Sequence, residues 1–306
     1  MPRIGLVLGG GGFTGTAFHA GVITALAREG QWDARGAEVI VGTSAGSTSA
    51  ALLRAGFPPL DYVGRVCGHP VSDEARVVLA GIGRVPDPPR RPPWRLRPAS
   101  PDLLRRIVRK PLGYPIGTAI AAALPEGTVP VTAVSPGFGP LFETWPTREM
   151  WIGAVNLETG RRAAFGRDAT ASVAEAVAAS CAIPGYFQPV TIDGDRYVDG
   201  GAHSLHSLDL VAGLGLDLVI VSAPLATTDW LAPDPGNLPR IAARRQLERE
   251  ASVVRRAGTP VLIIAPEAGL RRLMGTNSMV LAKRARVALA TQTHVTRLLR
   301  QGRILI

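Results

Sequence analysis

Short, largely apolar runs closed by glycines or turns alternate along this chain with longer stretches whose apolar residues recur every three or four positions. Ile4–Leu8, Glu38–Val41, Met150–Asn156, Leu218–Ser222 and Val261–Ala265 read as strands. The last two have the unbroken apolar character of strands buried on both faces of a parallel sheet. Helical spacing appears from Thr16 to Arg28, where Phe18, Val22, Ile23 and Leu26 make one stripe and Gly30 ends it. Further helices are expected over Ser47–Ala55, Ala169–Cys181, Leu208–Leu214 and the charged stretch Leu238–Arg256. Two hairpins are predicted. One joins Met150–Asn156 to Arg162–Phe165 through the turn Leu157–Gly160, and the other joins Val190–Ile192 to Arg196–Val198 around Asp193-Gly194-Asp195. The sum is an α/β chain with a mainly parallel central sheet flanked by helices.

The first strand, the helix after it and the second strand form a βαβ-like unit. Parallel strands place the loops that leave them at one edge of the sheet, so Gly9–Gly15 and Gly42–Gly46 become neighbours in space. From Phe57 to Pro115 the pattern changes. Arg84–Lys110 holds nine basic and two acidic residues among many prolines, which disfavour regular helix. This stretch reads as an exposed insertion, or as a cap whose Trp94 and arginines meet an anionic membrane surface. Within it, Leu103–Lys110 is a candidate basic helix, and just beyond it Ala119–Leu124 is an apolar turn. From Arg271 on there are basic residues and no acid. Leu281, Ala285, Leu289 and Leu299 suggest a basic C-terminal helical region, about 270–306, packed on the core.

Composition bounds the picture. With 306 residues, 46% hydrophobic and 19% charged, the chain suits one well-buried domain over 1–306. The net charge of +10 comes almost entirely from arginine, since Lys110 and Lys283 are the only lysines. No basic stretch interleaved with aromatics points to nucleic acid. Two cysteines, Cys67 and Cys181, make no disulfide framework. The start of the chain lacks the pattern of a signal peptide, and the longest apolar stretch, Leu208–Ala226, is broken by Asp209 and Asp217. A cytoplasmic protein, peripheral to membranes at most, is the expectation.

The candidate chemistry centres on Gly42-Thr43-Ser44-Ala45-Gly46, a Gly-x-Ser-x-Gly sequence between a strand and a helix. That is the form of a nucleophile elbow, a sharp turn that lifts a serine hydroxyl clear of the backbone. Taken alone, it is also the form of a tight turn with a solvated serine. The glycine loop has two readings. Gly10-x-Gly12-x-x-Gly15 after a strand fits a dinucleotide fingerprint, but that needs an acid at the end of the second strand, and Glu38 stands at its start. Alternatively, the N–H groups of Gly10, Gly11 and Gly12 form an oxyanion hole, where each donor contributes on the order of 3 kcal/mol to a transition state. Asp199-Gly200-Gly201 closes a predicted strand. Asp199 is either a turn residue or a general base within reach of Ser44. Asp193 and Asp195, at a hairpin tip, are poorer bases. His203, His206 and His294 follow Asp199, so a Ser-Asp-His triad is a competing scheme, although its elbow normally follows several strands.

Taken together, the glycine loop Gly10–Gly15, the elbow Gly42–Gly46 and Asp199-Gly200-Gly201 resemble the patatin-like phospholipases, serine hydrolases that use a Ser–Asp dyad without a catalytic histidine. Ala179-Ser-Cys-Ala-Ile-Pro184 and Ala154–Gly160 are similar to further segments of that family. The resemblance covers about 4–56 and 150–225. It implies a patatin-like α/β/α sandwich, a lipid ester substrate, Ser44 as nucleophile and Asp199 as base. It also implies an oxyanion hole from Gly10, Gly11 and Gly12, with Gly15, Gly42, Gly46, Gly200 and Gly201 in support and no metal or organic cofactor. Thr14 departs from the family pattern, in which many members carry lysine or arginine there. A non-catalytic lipid- or protein-binding member of the same fold is the alternative that this departure keeps in view.

Overall fold

The computed structural model describes residues 2–83, 97–131, 137–230 and 237–304. Eight strands form one sheet: β1 Ile4–Leu8, β2 Val39–Thr43, β3 Glu149–Asn156, β4 Arg162–Phe165, β5 Val190–Ile192, β6 Asp195–Asp199, β7 Leu218–Ser222 and β8 Val261–Ile264. Their order is β5-β6-β3-β2-β1-β7-β8, with β4 also paired to β3. β1, β2, β3, β7 and β8 run parallel, while β4, β5 and β6 are the antiparallel members.

The helices are α1 Gly12–Arg28, α2 Ala45–Arg54, α3 Tyr62–Cys67, α4 Asp73–Ala80, α5 Pro101–Arg109, α6 Ile116–Ala123, α7 Val173–Ser180, α8 Leu238–Arg256, α9 Ala268–Met274 and α10 Arg284–Arg300. Side chains alternate across each strand, so the buried runs feed two cores. Leu6, Leu8, Ile40 and Ile152 face a layer that includes α1, α2, α3, α7 and α10. Val7, Val39, Val41, Val219 and Val221 face the other side, with Leu247, Ala251 and Val254 of α8. The result is an α/β/α sandwich, as expected.

Several elements depart from expectation for identifiable reasons. The helix expected from Thr16 begins at Gly12, which shortens the glycine loop. The helix expected at Ala169 begins at Val173, because Ser172 and Glu175 form a reciprocal capping box there. Leu208–Val211 is a short 3-10 turn and not an α-helix. Part of the stretch expected as an insertion belongs to the core. Phe57, Tyr62, Val63, Val66, Ala75 and Val78 are buried, and Phe57 meets Tyr62 edge to face at 5.0 Å. The basic helix expected inside it exists as α5, and the apolar turn expected just beyond it is the helix α6. Trp94 and the arginines around it lie outside the described residues.

The C-terminal helix packs on the core, but through a different face from the expected one. Val287, Ala288, Thr291 and Val295 are buried, whereas Leu281 and Leu289 are exposed. Its close approach to α1 uses Gly21, where a Cβ would lie 2.6 Å from the Ala288 carbonyl oxygen.

Candidate active site

Register on β3 brings the two key residues together. Ile152 pairs with Gly42 on one edge and with Phe165 of β4 on the other, and Ala154 pairs with Asp199 and with Ala163 of β4. Since β4 occupies one edge throughout, β2 and β6 share the opposite edge of β3. Thr43 pairs with Gly153 and Asp199 with the next residue, Ala154. Two strands running in opposite directions therefore end against adjacent residues of one template strand, and Ser44 and Asp199 meet at that junction.

Ser44 occupies φ 53°, ψ −120°. A side chain at positive φ costs on the order of 1–3 kcal/mol, which the surroundings must hold in place. They do so through Ser180, whose hydroxyl accepts the Ser44 N–H at 2.8 Å and donates to the Gly153 carbonyl at 2.6 Å. Gly46 is obligatory, because a Cβ would lie 1.8 Å from the Leu8 carbonyl oxygen. At Gly42 a Cβ would lie 2.7 Å from Ser47 Cα. The elbow thus crosses directly over the end of β1, as close strand–helix crossing requires.

Asp199 is buried, with 6% of its surface exposed. Its N–H donates to the Ala182 carbonyl at 2.9 Å, and its Oδ1 accepts the Gly201 N–H at 2.8 Å. Burial pushes its carboxyl up to about 6, opposed by the neighbouring Ser44 hydroxyl and the Gly201 N–H. The glycines that follow serve this contact. A Cβ on Gly200 would meet the Gly153 carbonyl oxygen at 2.4 Å, and one on Gly201 would crowd Asp199 Oδ1 at 3.1 Å. Asp193 and Asp195 are exposed at the hairpin tip.

No histidine joins the pair. His206 is fully buried beside Gly9 with neither ring nitrogen hydrogen-bonded, and burial pulls it down to about 3. His203 belongs to a separate cleft with Tyr114 and Arg162. His294 on α10 lies 3.3 Å from Glu267. None of the three hydrogen-bonds with Ser44 or Asp199, so the triad arrangement is absent among the described residues. His19, not singled out from the sequence, bridges the exits of β1 and β7 through the Gly9 carbonyl at 2.7 Å and Ser222 Oγ at 2.8 Å.

The glycine loop lies against the serine: a Cβ on Gly10 would sit 3.5 Å from Ser44 Cβ. One expectation needs correction. The Gly10 N–H donates to the Leu205 carbonyl at 2.8 Å and so is not free to hold an oxyanion. The N–H groups of Gly11, Gly12 and Phe13, at the start of α1, have no acceptor among the described residues. Gly12 sits at φ 55° and Gly11 lies tight against Gly15, 2.7 Å from its Cα to a built Cβ. No residue at the second strand's end supplies a ribose acid; Ser44 is there instead. Thr14 is buried at 1% exposure, its hydroxyl without a partner and its N–H on the Ser278 carbonyl at 3.1 Å.

A cavity of about 300 Å³ opens onto Ser44. Its walls are mostly apolar, from Phe13, Val66, Ile183, Phe187 and Met279, with Thr48 and Cys181 near the serine and Arg65 and Arg284 as its charged members. Burial pushes the Cys181 thiol up to about 12, so it stays protonated. Sequence reasoning missed Arg65, Arg284 and Met279, which reach the site from α3 and the approach to α10. It also assigned no role to Ser180, although its segment had been singled out.

The family model for patatin-like phospholipase matches residues 6–211. The chain belongs to the patatin-like phospholipase family. The patatin-like match takes in Ser44, Asp199 and the glycine loop, and stops before Met279 and Arg284. Two solved structures are similar over 98% of this chain. VipD from Legionella pneumophila is 16% identical with a TM-score of 0.43, and 67% of its chain is covered. The type III effector protein ExoU is 18% identical with a TM-score of 0.37; this chain spans about half of it, 53%. Among the described residues no helix is long and apolar enough to cross a membrane.

Proposed function

We propose that this patatin-like protein is a serine acyl hydrolase that cleaves carboxylic esters of lipids through Ser44 and Asp199. The observation that carries the reading is a strained serine that opens onto an apolar cavity beside a buried carboxylate, with no histidine between them. An aspartate at its ordinary value is a weak base; one raised to about 6 is better matched to proton transfer near neutral pH and is still ionised there.

In this scheme Asp199 takes the hydroxyl proton as Ser44 Oγ bonds to the ester carbon. The carbonyl π pair moves onto oxygen, and the N–H groups of Gly11 and Gly12 at the positive end of α1 receive that charge. Collapse breaks the carbon–oxygen bond to the alcohol, which leaves with the proton from Asp199. Water then gives a proton to Asp199 and attacks the acyl-enzyme, and the fatty acid departs as Ser44 regains its proton. Ser180 holds the Ser44 backbone throughout.

Peripheral contact with an anionic membrane belongs to the same proposal. Val108, Leu112, Ile116 and Ile120 on α5, α6 and the turn between them are exposed, among Arg105, Arg106, Arg109 and Lys110. Apolar side chains ringed by cations suit an anionic lipid surface. Cosedimentation with phosphatidylserine vesicles falls with added salt and with Leu112→Asp/Ile116→Asp on this reading; equal binding by that variant contradicts it. The hydrolase itself is tested with a short-chain p-nitrophenyl ester. Turnover is lost in Ser44→Ala and Asp199→Asn and kept in His294→Ala. A wild type inert to the ester and to a fluorophosphonate probe, with or without liposomes, leaves the non-catalytic lipid-binding reading in its place.

A further inference from the structure

The glycine loop and the base come from strands that do not touch. The loop leaves β1 and Asp199 ends β6, and in the sheet β3 and β2 stand between those two strands. Attack by Ser44 needs the loop and the base in fixed relation, because a shift of about 1 Å can cost on the order of a hundredfold in rate. The sheet ladder ties each strand to its neighbours. The spacing between the ends of β1 and β6 therefore depends also on what bridges them.

The stretch after Asp199 makes that bridge. It is tied to α8 by the Ser204 hydroxyl on Glu250 at 2.6 Å and by the Gln246 amide on the His203 carbonyl at 2.9 Å. Ser207 is held at φ 51°, a strained angle that persists where the surroundings fix it. From this anchored stretch two residues reach the glycine loop. The His206 ring packs behind Gly9, where a Cβ would lie 2.6 Å from its Cδ2, so a side chain there would displace the ring. The Leu205 carbonyl takes the Gly10 N–H at 2.8 Å. The Leu205 side chain goes further. Its Cδ2 lies 3.3 Å from the place of a Cβ on Gly10 and 3.1 Å from the place of one on Gly201. One methyl group thus packs on the glycine loop and on the residue whose N–H holds Asp199 Oδ1 at 2.8 Å. Leu205 does not line the Ser44 cavity, and among the described residues it belongs to none of the apolar clusters of the core.

We infer that Leu205 is a positioning residue, which locks the glycine loop to the turn that holds Asp199 and so keeps the oxyanion donors and the base at one spacing. Its carbonyl fixes the Gly10 backbone, and that sets where the unclaimed N–H groups of Gly11 and Gly12 point. Its side chain joins the same loop to Gly201. The effect on rate rests on the hydrolase reading, whereas the coupling of loop and turn is measured without turnover.

The test uses the full chain, a short-chain p-nitrophenyl ester and amide hydrogen exchange. Leu205→Ala lowers kcat about tenfold or more and leaves KM within about twofold, because the substrate cavity is untouched. Leu205→Met, which reaches as far, recovers most of that rate. Leu210→Ala is the control: it empties a leucine site in the α8-side core, lowers Tm at least as much and keeps kcat near wild type. In exchange, the Gly10 and Gly201 amides of Leu205→Ala both open about tenfold faster relative to the Leu6 and Val7 amides of β1, which report global opening. If Leu205→Ala does not fold, Leu205→Val withdraws the reach to the two glycines and gives the same reading with a smaller change. An unchanged kcat, or a loss matched by Leu210→Ala, overturns the lock. So does a loss confined to KM, which would make Leu205 a substrate contact, or faster exchange at one of the two amides or at neither. Should wild type turn over no ester, the hydrolase reading fails separately, and joint release of the two amides still decides the lock.

Discussion

Two regions of this molecule hold the same three groups: a buried carboxylate, a serine hydroxyl and a backbone N–H. At one, Asp199 meets Ser44 and the Gly201 N–H; at the other, Glu250 of α8 accepts from Ser204 Oγ at 2.6 Å and from the Leu208 N–H at 2.9 Å. Burial raises both acids, Asp199 to about 6 and Glu250 to about 7. What differs is everything around the serine. Ser44 is strained, opens onto a cavity and faces unclaimed N–H groups. Ser204 is 1% exposed and its oxygen also accepts the His206 and Ser207 N–H groups, so its lone pairs are spent. A serine beside a raised carboxylate is therefore not a site by itself; access and free donors make the difference. The Glu250 cluster instead fixes the loop whose Leu205 carbonyl anchors Gly10.

The largest expected contrast is in turnover. Ser44→Ala or Asp199→Asn should lower kcat for an ester by about a thousandfold or more, while Ser204→Ala should stay within about tenfold of wild type. Equal losses at both serines would erase the distinction. Next in size is Ser180→Ala. Removing the hydroxyl that holds the Ser44 N–H should misplace the nucleophile and cost about ten- to a hundredfold in kcat with KM little changed.

Stability sharpens the comparison from another side. A carboxyl raised by burial favours the folded state fully below its unfolded value, and that contribution disappears as pH rises through the folded value. Asp199 and Glu250 together should therefore lower stability between about pH 4 and 7. At pH 8, Asp199→Asn should recover up to about 3 kcal/mol, read as a higher Tm than wild type, with the gain shrinking toward pH 4. A Tm difference independent of pH would contradict the raised value. The smallest effect separates two glycines. A Cβ on Gly10 comes no closer than 3.3 Å to the Leu205 side chain and 3.5 Å to Ser44 Cβ, whereas one on Gly11 strikes the Gly15 Cα at 2.7 Å. Gly10→Ala should lose a few-fold in turnover and Gly11→Ala clearly more. The reverse order would return the Gly10 N–H to the oxyanion hole.

How much of this was legible in the residues follows from how local each cause is. The central strands announce themselves because both faces are buried and need no alternation, and Gly42, Gly46 and Asp199-Gly200-Gly201 mark turns that only close approach requires. The engagement of the Gly10 N–H was not legible, because its acceptor, Leu205, belongs to a loop almost two hundred residues away. The stripe on α10 was misphased because the chain has leucines on its exposed face and uses Ala288 and Thr291 to reach Gly21. Phe57 to Val78 reads as part of an exposed insertion because prolines and arginines dominate the stretch that follows, while its own apolar side chains pack on the core. Arg65 and Arg284 were ordinary members of an arginine-rich composition until folding placed them on one wall.

The most direct test of the central claim is the rate at which a fluorophosphonate labels the protein as a function of pH, with the modified residue located by mass spectrometry. The account predicts labelling at Ser44, rising through one ionisation near pH 6 and abolished in Asp199→Asn, with Ser204 unmodified. Labelling of Ser44 that keeps its rate and pH dependence without the Asp199 carboxylate would contradict it.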